Sequence, residues 1–146
     1  MKNKILALMV SLLMAAPVFA DTIGSIKYSE VFQNYSKAKA ALSEMEDRRN
    51  ELQLFILNKE QEFKKIDSPV KKKAFEDATA KELAQKQEAF QKFQIKKEKE
   101  IDDAIVAAVK AVAIENKVNT VIEAKTIYFG AVDLTPLVIK KLNTGN

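Results

Sequence analysis

The sequence predicts a mostly α-helical α+β protein, in which a long antiparallel helical hairpin is attached to a small body of short β-strands. No glycine occurs between Gly24 and Gly130, and Pro69 is the only proline in that interval. The residues on both sides of Pro69 are rich in Ala, Glu, Lys, Gln and Leu, which are strong helix formers. The ends of the chain instead carry short segments of alternating apolar and polar residues, a pattern typical of strands.

The first 20 residues have the features of a secretory signal peptide. Two lysines within the first four residues are followed by an apolar run from Ile5 to Ala16. Val18 and Ala20 are the small residues at positions −3 and −1 of a cleavage site. We therefore expect residues 1–20 to be removed by cleavage between Ala20 and Asp21, and the chain to be exported.

The middle of the chain, residues 37–100, is predicted to form a hairpin arm with its turn at residues 67–69. Ser68 suits an N-cap and Pro69 suits the first position of a helix. Apolar residues of the first helix recur at alternating steps of three and four, which predicts a seam interrupted by Arg49 and Lys59. The first helix should have about 30 residues and the second about 47, or ~45 Å and ~70 Å.

The body is predicted to contain residues 21–36 and 101–146. The alternating segments predict strands at 22–28, 118–123 and 126–129, with one helical turn after the first strand. Thr135 and Pro136 repeat the arrangement of an N-cap followed by proline, so they are expected to begin a short helix ending at Leu142.

The second arm helix becomes apolar on nearly all sides between Ile101 and Ile114, which is typical of a helix buried on every face. Three short strands and a short helix make a body too small to be stable alone. We therefore expect several copies of the chain to share one core. The residues expected in this shared core are Ile101, Ile105, Ala108, Val109 and Val112.

The composition excludes most catalytic chemistry. The chain has no Cys and no His, which removes thiolate nucleophiles, the commonest general base and nearly every transition-metal site. Its three glycines cannot build a phosphate-binding loop or a dinucleotide fingerprint. Asp102 and Asp103 are neighbours on a helix and point in different directions, so they form no acid–base pair. We expect no enzymatic activity, no cofactor and no metal.

Positive charge and aromatic residues are concentrated on the arm, and each has two interpretations. The basic residues are a solvated face or a contact for anionic partners. The phenylalanines pack the hairpin or form an apolar wall for a partner. The basic residues at the arm tip are Lys59, Lys64, Lys65, Lys71, Lys72 and Lys73. The phenylalanines are Phe55, Phe63, Phe90 and Phe93.

Two sequence blocks enclose the charged hairpin. The first is IGSIKYSEVF at residues 23–32, and the second contains IYF at 127–129, VDLT at 132–135 and VIKKLN at 138–143. With these blocks in this order, the chain resembles the Skp/OmpH family of periplasmic chaperones. It departs from the family pattern at Lys27 and Tyr28, and its arms are short, so the cavity between them is expected to be small.

The resemblance implies a homotrimer in which three helical arms surround a central cavity. It implies an ATP-independent periplasmic holdase that binds unfolded outer-membrane β-barrel proteins and prevents their aggregation. Some members are also thought to bind lipopolysaccharide or an anionic membrane surface through basic arm residues, whereas no nucleic acid partner is expected. Two alternatives remain open at this point, a structural coiled-coil adaptor of the cell envelope and a binder of anionic polymers.

Overall fold

The computed structural model describes residues 22–145. Their elements, in chain order, are β1 (Ile23–Ile26), α1 (Tyr28–Asn34), α2 (Ser36–Lys64), α3 (Pro69–Glu115), β2 (Thr120–Glu123), β3 (Val132–Asp133) and α4 (Thr135–Thr144). The predicted fold class, a mostly α-helical α+β protein, is confirmed. The predicted signal peptide and its cleavage site at Ala20 and Asp21 lie outside the described residues.

Helices α2 and α3, with 29 and 47 residues, form an antiparallel hairpin. Lys97 of α3 pairs with Glu44 of α2 at 3.3 Å. Ser68 occupies the N-cap position of α3 with extended backbone, and Pro69 opens the helix. The Ser68 side chain makes no capping hydrogen bond, so the extended backbone and the proline alone mark the start of α3.

The three strands form one parallel sheet in the order β2-β1-β3. The central strand β1 pairs with β2 from Ile23 opposite Thr120 to Ile26 opposite Glu123. It pairs with β3 through Gly24 opposite Val132 and Ser25 opposite Asp133. Because β1 and β2 are parallel neighbours, the whole hairpin serves as the connection between them.

The predicted strand at residues 126–129 is wrong. A 3₁₀ turn occupies Ala124–Thr126, where the Thr126 hydroxyl donates a 2.7 Å hydrogen bond to the Glu123 carbonyl. The third strand lies later, at Val132–Asp133, and the Leu134 amide donates to the Ser25 carbonyl at 2.9 Å just after it. The alternation of apolar and polar residues alone does not distinguish a strand from a turn in which a side-chain hydroxyl donates a hydrogen bond to a backbone carbonyl.

The predicted cap at Thr135 is also wrong in its detail. Helix α4 begins at Thr135, and Leu134 is the residue at the N-cap position. The Thr135 hydroxyl accepts a 3.0 Å hydrogen bond from the Lys27 amide, which joins the start of α1 to the start of α4. The Thr135 amide donates to Asp133 at 2.9 Å, and the hydrogen bonds from Thr135 lower the pKa of Asp133.

The hydrophobic core lies at the base of the hairpin. It joins α1, the first turns of α2, the last turns of α3 and α4, with Val31, Leu134 and Val138 fully buried. The central strand reaches this core by a close approach, because a Cβ atom at Gly24 would lie 2.8 Å from Leu134 Cδ1 and 2.9 Å from Val118 Cγ1. Both neighbours are buried, so neither has free space to move into.

The change Gly24→Ala is expected to destabilise the body by about 1–3 kcal/mol, because the added methyl group overpacks the core. Urea unfolding followed by circular dichroism measures the change. In a Leu134→Val background the same substitution should cost less, because the atom nearest to the added methyl group is Leu134 Cδ1 and valine has no such atom. Equal costs in the two backgrounds would contradict the close approach.

Candidate functional site

The arm beyond the base of the hairpin has no buried residue. The last buried residue of α2 is Met45 and the first buried residue toward the end of α3 is Ile101, and none from 46 to 100 is buried. A hairpin of two helices has a single contact face, so each side chain in that face keeps one side in solvent. The arm therefore presents its apolar residues along its whole length.

Several phenylalanines lie along the contact between the two helices of the arm. Phe63 of α2 and Phe75 of α3 have ring centroids 6.2 Å apart, within the usual range for an aromatic pair. Phe55 and Phe93 are half-buried farther toward the base, and Phe90 lies beside Arg48 in a second shallow depression. All four phenylalanines singled out by the sequence thus lie in or beside the contact between the two helices.

Basic side chains cover the phenylalanine rings. The Arg48 guanidinium carbon lies 3.8 Å from the Phe93 ring centroid. Lys59 Nζ lies between two rings, 5.6 Å from Phe55 and 5.5 Å from Phe75. Three further lysines lie over these rings, Lys72 over Phe63, Lys86 over Phe55 and Lys97 over Phe93. Each such contact contributes only about 0.5–1 kcal/mol at an exposed site, so a binding partner can displace it.

The ion pairs of the arm are mostly local. Lys73 with Asp77, Lys92 with Glu88, Lys96 with Glu100 and Lys99 with Asp103 each join neighbouring turns of α3. Glu44 instead joins the two helices at the base of the arm. Partial desolvation acts to raise its pKa, but hydrogen bonds from Lys97 and Arg48 outweigh this effect and lower the pKa of Glu44.

The six predicted tip lysines fall into two groups. Lys59 and Lys72 lie over rings, Lys59 also pairs with Glu62 at 3.2 Å, and Lys73 pairs with Asp77 at 2.9 Å. The second group is Lys64, Lys65 and Lys71, which are exposed and have no carboxylate within 4.0 Å among residues 22–145. Only this second group offers uncommitted positive charge at the tip.

A groove of about 400 Å³ runs between the two helices near the tip. It is lined by the apolar residues Phe55, Ile56, Phe63, Phe75 and Leu83 and by the smaller residues Thr79 and Ala80. The charged residues Lys59, Glu60, Lys64 and Glu76 also line it. A volume of this order is typical of sites that enclose an apolar group.

Some apolar residues of the arm point away from the hairpin contact. Leu54, Leu57 and Ile95 are each more than half exposed, and Val70 at the tip is 79% exposed. These residues were not among the predicted site residues, and neither were Phe75, Arg48 and Lys86. An antiparallel register between the two helices was the signal that could have identified these last three, because it sets Arg48 opposite Phe93, Lys86 opposite Phe55 and Phe75 opposite Phe63.

The residues predicted for a core shared between copies are mostly packed within one chain. Ile101, Ile105, Ala108 and Val112 are buried against α1, α2 and α4 of the same chain. Val109 is half-buried and lines a separate groove between α3 and the sheet. The part of Ile101–Ile114 that remains exposed includes Val106 and Ile114.

The described residues contain no group of three or more acidic side chains that could hold a metal ion. Within residues 22–145, no helix has the length and apolar character needed to cross a membrane. The model of a protein family described as "Outer membrane protein (OmpH-like)" matches residues 22–142. No curated protein matches the chain.

Backbone amides of residues 46–100 are expected to exchange with solvent at least about tenfold faster than those of residues 105–112, because the arm has few buried contacts. Hydrogen exchange followed by mass spectrometry makes the comparison within one sample. Equal protection of the two segments would show that the arm packs as firmly as the body.

Proposed function

The chain belongs to the OmpH-like family of outer membrane proteins, and on this basis we propose that it is an ATP-independent holdase. The family is a periplasmic, non-enzymatic chaperone family that acts on outer membrane proteins. In our proposal, this chain binds unfolded outer-membrane proteins between its helical arms and keeps them from aggregating. The predicted signal peptide, residues 1–20, would deliver the chain to the periplasm.

The observation that carries the proposal is the absence of any buried residue from 46 to 100. A structural coiled-coil adaptor would need an apolar seam packed along its length. This arm instead leaves Phe55, Phe63 and Phe75 only partly buried and covers them with lysines. An arm of this kind favours contact with another chain over rigid spacing.

The chemistry of the proposed client fits such a surface. An unfolded β-barrel protein exposes alternating apolar residues and backbone groups that have no partner, so it pairs readily with other unfolded copies. Apolar side chains of the client would contact the groove near the tip and the exposed Leu54, Leu57 and Ile95. Each contact is weak, but many contacts along one client chain raise the effective affinity.

Weak contacts also account for release without nucleotide. The lysines that cover the rings can return to them when a client leaves, since the contact between lysine and ring is present in the free chain. A client that folds into the membrane buries its own apolar residues and satisfies its backbone groups. This gain would exceed the sum of the weak contacts with the arms, so no ATP would be needed.

We further propose that the protein assembles, as a trimer, through its body. Large apolar residues are exposed there, among them Ile23, Ile114 and Ile122. The outer strands β2 and β3 each leave one edge unpaired within the chain. Exposed apolar residues and free strand edges are typical of surfaces that associate. Several arms around one body would enclose a client and separate it from other unfolded chains.

Binding of an anionic lipid or lipopolysaccharide is a second candidate function. The observation that favours it is the set of three exposed lysines at the tip, Lys64, Lys65 and Lys71, which have no carboxylate partner among the described residues. Such a site would lose affinity steeply with added salt, because exposed charges are screened over about 10 Å at ~0.1 M ionic strength.

The proposal is tested by diluting a urea-unfolded outer-membrane β-barrel protein into buffer with and without this protein, and measuring light scattering. Scattering should fall in proportion to the added protein, with no nucleotide present, and reach its minimum at a fixed molar ratio. Unchanged scattering at a large molar excess would contradict the proposal.

Replacing Leu54, Leu57 and Ile95 together by Gln should weaken client binding by roughly tenfold, because three exposed apolar contacts are lost. Their exposure means that the fold should be unaffected, which circular dichroism checks. The matched control replaces the exposed polar residues Asn50, Asn58 and Gln91 by Ser. Fluorescence titration with a labelled unfolded client gives the two affinities, and equal affinities would exclude these residues from the binding surface.

Replacing Lys64, Lys65 and Lys71 together by Gln should slow client association by roughly three- to tenfold at low salt and flatten its salt dependence, because exposed charges act mainly on encounter rate. Suppression of aggregation at saturating protein should be retained. The control Lys92, Lys96 and Lys99 to Gln removes the same charge from the base of the arm. Complete loss of holdase activity in the tip variant would make the tip itself the binding site.

A further inference from the structure

The groove near the tip of the arm is lined by three aromatic rings and by a lysine that lies over two of them. Phe55, Phe63 and Phe75 all line it, and the ring centroids of Phe63 and Phe75 are 6.2 Å apart. Lys59 Nζ lies 5.6 Å from the Phe55 centroid and 5.5 Å from the Phe75 centroid. A positive charge and the faces of aromatic rings therefore already meet in this groove.

Lys59 is held in this position by several contacts. Its side chain is 25% exposed, the lowest value among the ion-paired lysines of residues 22–145. Its ammonium group donates a hydrogen bond to Glu62 Oε2 at 3.2 Å, in addition to its two ring contacts. A ligand entering the groove thus meets a cation that is already ordered, which lowers the entropic cost of binding.

The charges that line the groove favour a neutral ligand. Lys59 and Lys64 are balanced by Glu60 and Glu76, so the lining has no net charge. A carboxylate in the groove would meet two glutamates, and an ammonium group would meet two lysines. An aromatic ring has no net charge but has negative faces, which attract a cation such as Lys59.

The size of the groove suits one aromatic side chain. A cavity of ~150 Å³ lined by Leu, Ile and Phe is large enough to hold benzene. The groove measures about 400 Å³, and Thr79 and Ala80 contribute only small side chains to its lining. One aromatic ring therefore fits in it and can still be joined to an extended chain outside.

On the basis of the holdase activity put forward above, we propose that this groove binds one aromatic side chain of a client. Lys59 selects the aromatic ring over an aliphatic side chain of the same size. Both kinds of side chain bury apolar surface against Phe55 and Phe75, but only the aromatic ring also gains a contact with the cation. Segments of an unfolded client that carry aromatic residues are thus the ones that the arm tip holds most tightly.

The test uses two uncharged peptides, Gly-Ser-X-Ser-Gly with blocked ends, in which X is phenylalanine or cyclohexylalanine. The two side chains have the same number of carbon atoms, but only phenylalanine has an aromatic ring. Burial of apolar surface alone predicts that the saturated ring binds at least as tightly. We expect the phenylalanine peptide to bind about two- to fivefold more tightly, because of the cation contact.

The affinities are measured by nuclear magnetic resonance on protein with labelled methyl groups, from the shifts of Thr79 and Ala80 during titration. This method detects binding as weak as a single side chain provides. Equal affinities, or tighter binding of the cyclohexylalanine peptide, would overturn the proposal. Absence of shifts with both peptides would overturn it as well.

Replacing Lys59 by Met removes the charge and keeps an unbranched side chain, so the preference for phenylalanine should disappear. The matched control is Lys64→Met, which removes a charge from the same groove. Within residues 22–145, Lys64 lies over no aromatic ring, so its variant should keep the preference. A preference that survives in Lys59→Met would contradict the selection by Lys59.

Filling the groove tests its location. Ala80→Leu adds a larger side chain to the lining, whereas Ala84→Leu adds the same side chain one turn farther along α3, at a residue that does not line the groove. Both alanines are exposed and leucine is a strong helix former, so both variants should fold, as circular dichroism checks. We expect Ala80→Leu to weaken binding of the phenylalanine peptide at least about tenfold, and Ala84→Leu to leave it unchanged. Equal binding by the two variants would place the ring outside the groove.

Aromatic selection by the groove and holdase activity can fail separately. Equal affinities for the two peptides, beside reduced light scattering of an unfolded client, overturn the aromatic selection and leave the holdase activity standing. Selective binding of the phenylalanine peptide, beside unchanged scattering, overturns the holdase activity and leaves a groove that selects aromatic side chains.

Discussion

The single contact face between two antiparallel helices is the constraint on which the arm depends. Below Met45 and Ile101, helices α1 and α4 cover the hairpin and complete a buried core. Beyond these residues no other element within residues 22–145 covers it, so its apolar side chains stay half-buried or exposed. The arm gains its stability from helix propensity, local ion pairs and cations lying over aromatic rings, and these contacts are individually weak. Such an arm can adapt to a partner of variable sequence.

The body, in contrast to the adaptable arm, must be firmly packed, since it anchors the arm with few residues. Close packing achieves this: Gly24 allows β1 to approach Leu134, and Thr135 joins α1 to α4 through its bond with the Lys27 amide. At the base of α2, the Asn143 side chain accepts from the Ser36 amide and donates to the Asn34 carbonyl. Firm packing of one side leaves the other side of the body apolar and exposed, which is why association is part of the proposed function.

The sequence predicted the hairpin well because its signals are local. The long interval without glycine and the position of Pro69 set the helices, and composition excluded His- and Cys-based chemistry. The strand prediction failed at residues 126–129, because a turn closed by the Thr126 hydroxyl shows the same alternation of apolar and polar residues as a strand. The contacts between lysines and rings could not be predicted from periodicity alone, because they depend on the register between two helices. Ile105 was expected to be buried by other copies, whereas its own chain buries it.

The most direct test of the account is site-specific photo-crosslinking to an unfolded outer-membrane protein. A photoreactive phenylalanine analogue is placed at Leu57 on the arm, which is 53% exposed, and at Ile114 in the body, which is 78% exposed. We expect crosslinks from Leu57, with few from Ile114 although Ile114 is the more exposed of the two. Crosslinks of equal yield from both positions would show that any exposed apolar residue binds the client, and would contradict a binding surface formed by the arm.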